Sequence, residues 1–147
     1  MQSKKAQCGR RYKGKGTIPS LKRKLDRIFS DYIRLRDSKD GICYCITCGR
    51  PVPWKSRECH CGHFMNRGRL STRYHEKNCH AQCMTCNSFA EGEQYKYGKE
   101  INKRYGEGTA EELTVLSKVK SKLGADWYEE TIREYKDRLK ALKKEKL

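Results

Sequence analysis

An α+β fold, with a small core of short strands and one helix inside a mostly helical chain, follows from three observations. Apolar residues recur at helical spacing near both ends of the 147-residue chain. Between them, short apolar runs are broken by Gly and Pro, which reads as strands and turns. That middle stretch also holds two Cys-x-x-Cys pairs, Cys45/Cys48 and Cys83/Cys86. Hydrophobic residues make up 35% of the chain and charged residues another 35%. Apolar burial is therefore limited, and a bound metal would supply order that the core cannot.

Taken in order, residues 1–19 carry six basic side chains and no acidic one, so they are expected to be a flexible arm that orders on a phosphate backbone. Cys8 has no nearby partner there and reads as a free thiol. Ser20 can cap a helix over about residues 20–37, whose Leu21, Leu25, Ile28, Phe29, Tyr32, Ile33 and Leu35 form a core-facing stripe. Lys22, Arg23, Arg27 and Arg34 lie on its other face, solvated or against DNA.

The next segment predicts a turn, a strand from Ile42 to Ile46 and a knuckle at Cys45–Cys48, with Gly49 freeing the backbone to wrap a metal. Pro51 and Pro53 are expected to end regular structure. Residues 58–68 read as a strand running into a turn at Gly68, and residues 67–78 as a basic loop returning to the second knuckle. After Asn87, helices are expected over about 90–105, 110–123 (capped by Thr109, with Glu112 at capping-box spacing) and 126–144. Tyr128, Ile132, Tyr135, Leu139 and Leu142 give the last one an apolar stripe, to dock on the domain or on a second copy, and its lysine-rich end is expected to fray. The expected division is an arm (1–19), a helix plus metal-bound core (20–106) and a helical extension (107–147).

The net charge of +16 is segregated. Residues 1–40 hold 13 basic against 4 acidic side chains and residues 41–87 hold 7 against 2, while residues 88–147 are nearly balanced at 14 against 12. Such a localised field suits a polyphosphate partner. No long apolar run and no leader pattern is visible, so a membrane is not an expected partner, and a soluble, cytoplasmic protein is expected. In a reducing compartment nine cysteines point to metal rather than to disulfides.

Cys45, Cys48, Cys83 and Cys86 can close one tetrahedral structural Zn2+ site. Cys43, Cys59, Cys61 and Cys79 fall outside it and read as small buried residues; a second zinc on Cys59, Cys61 and a histidine is conceivable but disfavoured by the spacing. His63, at the end of a strand, can act as general base toward water beside a cation that clamps a phosphate. Asn78 can tie the loop by side-chain hydrogen bonds, and Asn87 can present an amide oxygen to a hard cation. Arg67, Arg69 and Arg73 suit bidentate phosphate contacts. His80 is compatible with supporting the site, with a DNA phosphate contact or with a structural role, and His75 reads as exposed and structural.

The order Cys45-x-x-Cys48, Gly62-His63-Phe64, Asn78-x-His80-x-Gln82-Cys83-x-x-Cys86-Asn87 resembles an HNH, or ββα-metal, endonuclease core on a treble-clef-like zinc framework, as in phage endonucleases of the VII type. Over residues 25–106, including FSDYIRLRD, CITCGR, CGHF, TRYHEKNCHAQCMTCN and KRYG, the chain resembles the NinG (Rap) family of lambda-like phage recombination proteins. The resemblance implies a structure-specific endonuclease that cuts branched DNA such as Holliday junctions and D-loops. It implies His63 as general base, Asn78 as the central asparagine of the motif, Asn87 as ligand of a catalytic Mg2+ or Mn2+, and the four knuckle cysteines as zinc ligands. Many HNH enzymes have an acidic ligand immediately before the base, where this chain has Gly62. Many NinG-like sequences have an acid three residues before it, where His60 stands as the candidate ligand, and an imidazole suits a transition ion better than magnesium. Two strands must be cut in a four-way junction, which leaves room for a homodimer through the terminal helices. The competing readings are a non-catalytic zinc-containing nucleic-acid-binding module and an HNH nuclease acting on linear duplex.

Overall fold

The computed structural model describes residues 16–90 and 93–147; most of the basic arm, with Cys8, lies outside them. The chain is α+β. Helix α1 (Ile18–Asp37) starts at Thr17, whose hydroxyl accepts from the Ser20 amide at 3.3 Å. The cap is therefore three residues earlier than expected. Pro19 in the first turn explains why the earlier start wins, since its missing N–H is no loss there. Leu21, Leu25, Phe29, Tyr32, Ile33 and Leu35 are buried, and Ile28 is packed at their edge.

Strands β1 (Ser38–Lys39), β2 (Ile42–Tyr44) and β3 (Pro51–Pro53) form one antiparallel sheet in that order. The two prolines do not end regular structure: Pro51 pairs with Tyr44 and Pro53 with Ile42. The flanking bonds, Cys45 N–H to the Arg50 carbonyl and Trp54 N–H to the Gly41 carbonyl, put both prolines at positions whose nitrogens face away from β2. On an edge strand that costs no ladder bond.

Strands β4 (Cys59–His63) and β5 (Cys79–Cys83) form a separate antiparallel hairpin, with Cys59 opposite Cys83 and His63 opposite Cys79. Its long loop contains a short helix, α2 (Leu70–Arg73), and a 3-10 turn (Glu76–Asn78). A single π turn (Thr85–Phe89) follows β5 and leads toward α3 (Gln94–Tyr105). Helix α4 (Thr109–Ser117) is shorter than expected and is capped by Gly108 rather than Thr109, whose hydroxyl instead donates to the Gly106 carbonyl at 2.8 Å.

Helix α5 (Ala125–Lys146) lies along α1. Tyr128, Ile132, Tyr135 and Leu139 are buried there, with Tyr135 edge-on to both Phe29 and Tyr32. Its stripe is therefore spent within the chain and is not the free face a homodimer would use. Nor does the lysine-rich end fray away from the molecule. The Lys146 ammonium donates to the carbonyls of Leu35, Arg36 and Ser38 at 3.1, 2.7 and 2.6 Å, satisfying the open C-terminal end of α1. A second core cluster, around Ile46, Phe64, Tyr97, Ile101 and Leu113, anchors α3 and α4 to the hairpin. Among the described residues no helix is long and apolar enough to cross a membrane.

Candidate active site and metal centre

The four knuckle cysteines converge although they come from two sheets. The Sγ atoms of Cys45, Cys48, Cys83 and Cys86 all lie within 4.8 Å of one another, and those of Cys48 and Cys83 are 3.7 Å apart. Thiolates at the corners of a tetrahedron with ~2.3 Å zinc–sulfur bonds would be separated by about 3.8 Å. Gly49 adopts φ +75° with no heavy atom near an added Cβ, as the knuckle turn requires. Burial pushes the Cys45 thiol up, but donors around its sulfur, the Cys83 backbone amide and the Thr47 hydroxyl foremost, outweigh that and bring it to about 6. An all-thiol set of this geometry can hold a metal ion such as zinc, joining the β1–β2–β3 sheet to the end of β5.

Beside this centre a cleft of roughly 810 Å³ runs between α1 and the hairpin. His60 and His63 of β4 line it together with Asn87, which is distant from them in sequence. His60 Nδ1 and Asn87 Nδ2 are 2.9 Å apart. His60 Nε2–H donates to the Arg57 carbonyl at 3.1 Å, so Nδ1 carries the lone pair and accepts from Asn87. The π turn bends the chain so that Asn87, directly after Cys86, faces β4.

His63 Nε2–H donates to the Arg73 carbonyl at 3.0 Å, which leaves Nδ1 unprotonated. Burial holds this imidazole below its ordinary pKa, and the Arg67 and Arg73 charges add to that against the opposing Arg73 carbonyl and Asp26. It is therefore neutral at neutral pH, the form in which a histidine can take a proton or a metal ion. The Arg73 carbonyl is fixed in turn. Its guanidinium makes two bonds to Asp26 of α1, 2.9 Å from Nε and 2.6 Å from Nη2, and Tyr74 Oη–H donates to the same carboxylate at 2.7 Å.

Asn78 is fully buried. Its Oδ1 accepts from the Met65 amide at 2.8 Å and its Nδ2 donates to the carbonyls of Met65 and Thr72 at 3.2 and 3.1 Å. Those bonds tie both ends of the loop that follows His63.

Gly62 has no room for a side chain: an added Cβ would lie 2.2 Å from Gln82 Oε1 and 2.8 Å from Gln82 Cβ. The position immediately before His63 thus cannot hold an acidic ligand without displacing Gln82.

Arg73 is corrected as a DNA contact, and of the three roles left open for His80 the DNA contact falls away. Arg73 is buried in its ion pair with Asp26 and has no free face for a phosphate. His80 is fully buried, with Nε2 2.7 Å from Tyr105 Oη and Nδ1 3.2 Å from Tyr97 Oη. Because Tyr97 Oη–H donates to the Gly62 carbonyl at 2.7 Å, His80 donates to Tyr97 and accepts from Tyr105. Burial drives its pKa down to about 3, so it is a neutral structural histidine supporting β4 behind His63. Arg69 is exposed, and Arg67 is exposed while sharing Asp26 with Arg73.

Arg27, Lys55 and Arg57 line the cleft; of these the sequence offers Arg27 as a DNA-facing or solvated residue and does not single out Lys55 or Arg57. Lys55 and Arg57 come just before β4, and Arg27 lies on α1. Among the described residues none of the three has a carboxylate within ion-pair distance. Their convergence could not be read from spacing, because it depends on how α1 crosses the hairpin.

A second group overlaps the disfavoured second-zinc set, with Cys79 in the place of Cys59. The ligand atoms of Cys61, His63 and Cys79 all lie within 4.8 Å of one another. Cys59 is not in this group; its thiol pairs with that of Cys43.

No curated protein and no solved structure matches the chain. A family model described as Bacteriophage Lambda NinG protein matches residues 2–145, nearly the whole chain. The chain therefore belongs to the NinG family of phage recombination proteins.

Proposed function

We propose that this protein is a metal-dependent endonuclease that hydrolyses phosphodiester bonds in branched DNA. The observation that carries the reading is the 2.9 Å approach of His60 Nδ1 and Asn87 Nδ2, on the wall of a basic cleft that His63 also lines. A cation ligand pair and a neutral base lining one cleft, with Arg27, Lys55 and Arg57 to hold phosphates, are the parts that metal-assisted phosphodiester hydrolysis needs.

In this reading His63 Nδ1 takes a proton from the attacking water while Nε2–H stays on the Arg73 carbonyl, which fixes the ring. The water oxygen bonds to phosphorus as the bond to the 3′ oxygen breaks, leaving 5′-phosphate and 3′-hydroxyl ends. Asn78 keeps the loop from drifting over the base. His60 Nδ1 and the Asn87 amide oxygen, after rotation of the amide, would hold a divalent cation, which when bound supplies charge stabilisation at the phosphate. One imidazole and one amide fit Mn2+ better than Mg2+. The four-cysteine centre takes structural Zn2+. Branched DNA as substrate is supported by membership in a family of recombination proteins.

The test is cleavage of a labelled four-way junction beside linear duplex of the same sequence, with Mn2+, Mg2+ or chelator. Junction cutting should require the divalent ion and fall by at least ~100-fold in His63→Ala. Equal cutting of linear duplex would favour a nuclease without branch preference. Tight junction binding with no cutting under any cation would favour the non-catalytic zinc module, a reading helped by the filled space at Gly62.

A further inference from the structure

We propose that Cys61, His63 and Cys79 form a second metal site, for a soft divalent ion such as Zn2+, Co2+ or Cd2+, distinct from the four-cysteine centre. Their three ligand atoms lie within 4.8 Å of one another. The pairing of the hairpin brings them together: His63 stands opposite Cys79, and Cys61 is two residues before His63 on the same face of β4. Two thiolates and one imidazole are a donor set that prefers zinc-like ions over magnesium.

Two features of the surroundings suit a ligand site better than inert packing. The His63 Nε2–H is held by the Arg73 carbonyl, the arrangement that orients a metal-bound histidine and leaves its other nitrogen free to coordinate. The same carbonyl lies 3.4 Å from Cys79 Sγ, which places that sulfur beside the His63 ring; the Sγ–H bond to it is given up when the thiolate forms. Cys61 and His63 line the cleft, and an ion bound by the three would complete its tetrahedron with water from that side. Entry requires loss of the thiol protons, so affinity falls with pH.

One consequence rests on the nuclease reading. An ion on either ring nitrogen leaves the imidazole without a free lone pair, because the other nitrogen carries the proton, so an ion here blocks the base. Micromolar thiophilic ions would then inhibit cleavage that Mn2+ supports.

The site is tested without activity. Reduced full-length protein carrying its structural zinc is titrated with Co2+ and followed by the thiolate-to-cobalt charge-transfer absorption, with zinc content measured in parallel. One extra equivalent of Co2+ should bind with that absorption in wild type, and it should be lost in Cys61→Ala and in Cys79→Ala while each keeps its structural zinc. Absence of the extra equivalent in wild type overturns the proposal whether or not the variants fold. An extra equivalent that persists in both zinc-retaining variants overturns it too, because the ion then sits elsewhere. Failure of the junction assay leaves these results unaffected and removes only the inhibitory consequence.

Discussion

At Asp26 one carboxylate on α1 holds Arg73, Arg67 and the Tyr74 hydroxyl, and through Arg73 it fixes the carbonyl that orients His63. Burial pushes the Asp26 pKa up, but bonds from Arg73 and Tyr74 and the nearby guanidinium charges outweigh it, so the folded value lies below the usual 3.8. Asp26→Asn leaves the nearly buried Arg73 without its counter-charge and should cost about 2 kcal/mol of folding free energy at neutral pH, read by urea unfolding. Because the folded pKa is lowered, the carboxylate's contribution is fully present above pH 3.8 and lost as pH falls through the folded value. The gap between wild type and variant should therefore close below about pH 4, and a gap independent of pH would remove the charge from the explanation. Gly62 shows the opposite case, a residue defined by what its neighbour excludes. Gln82 occupies the space that an acidic side chain before His63 would need, so what position 62 can hold is set by a residue on the facing strand.

Among the elements, α5 does most to keep α1 where the cleft needs it. Tyr135 packs edge-on against Phe29 and Tyr32 at ring separations of 5.0 and 5.1 Å, and Lys146 closes the carbonyl end of α1. Tyr135→Ala should destabilise the fold by about 3 kcal/mol through the cavity it leaves. Lys146→Met, which keeps the stem and removes the ammonium, should cost about 1 kcal/mol. Thermal unfolding of the two variants checks both; a Lys146→Met variant as stable as wild type would mean that the helix end is satisfied by water. The sequence showed the apolar stripe of α5 but not its mate. Periodicity gives the buried face of a helix and says nothing of which surface buries it.

For the molecule as a whole, the four-cysteine centre is the joint between two sheets that share no ladder. With a metal bound there, its removal by chelator under reducing conditions should unfasten that joint while the α1–α5 pair, held by apolar packing, lasts longer. Hydrogen exchange should then speed up first in residues 42–48 and 79–89, and uniform loss across all helices at once would show that the centre and the core form one cooperative unit. The knuckle cysteines, both amphipathic end helices, the charge asymmetry and the family resemblance were all legible in the sequence, because each depends on spacing or composition within a short window. Tertiary structure alone decided that Pro51 and Pro53 belong to an edge strand, that Arg73 and His80 are buried and that Arg27, Lys55 and Arg57 share the cleft. It also decided that Cys61 and Cys79 meet at His63. Those outcomes depend on strand register and on the crossing of α1 over the hairpin, which are set by the summed packing of residues distant in the chain and leave no local signal in it.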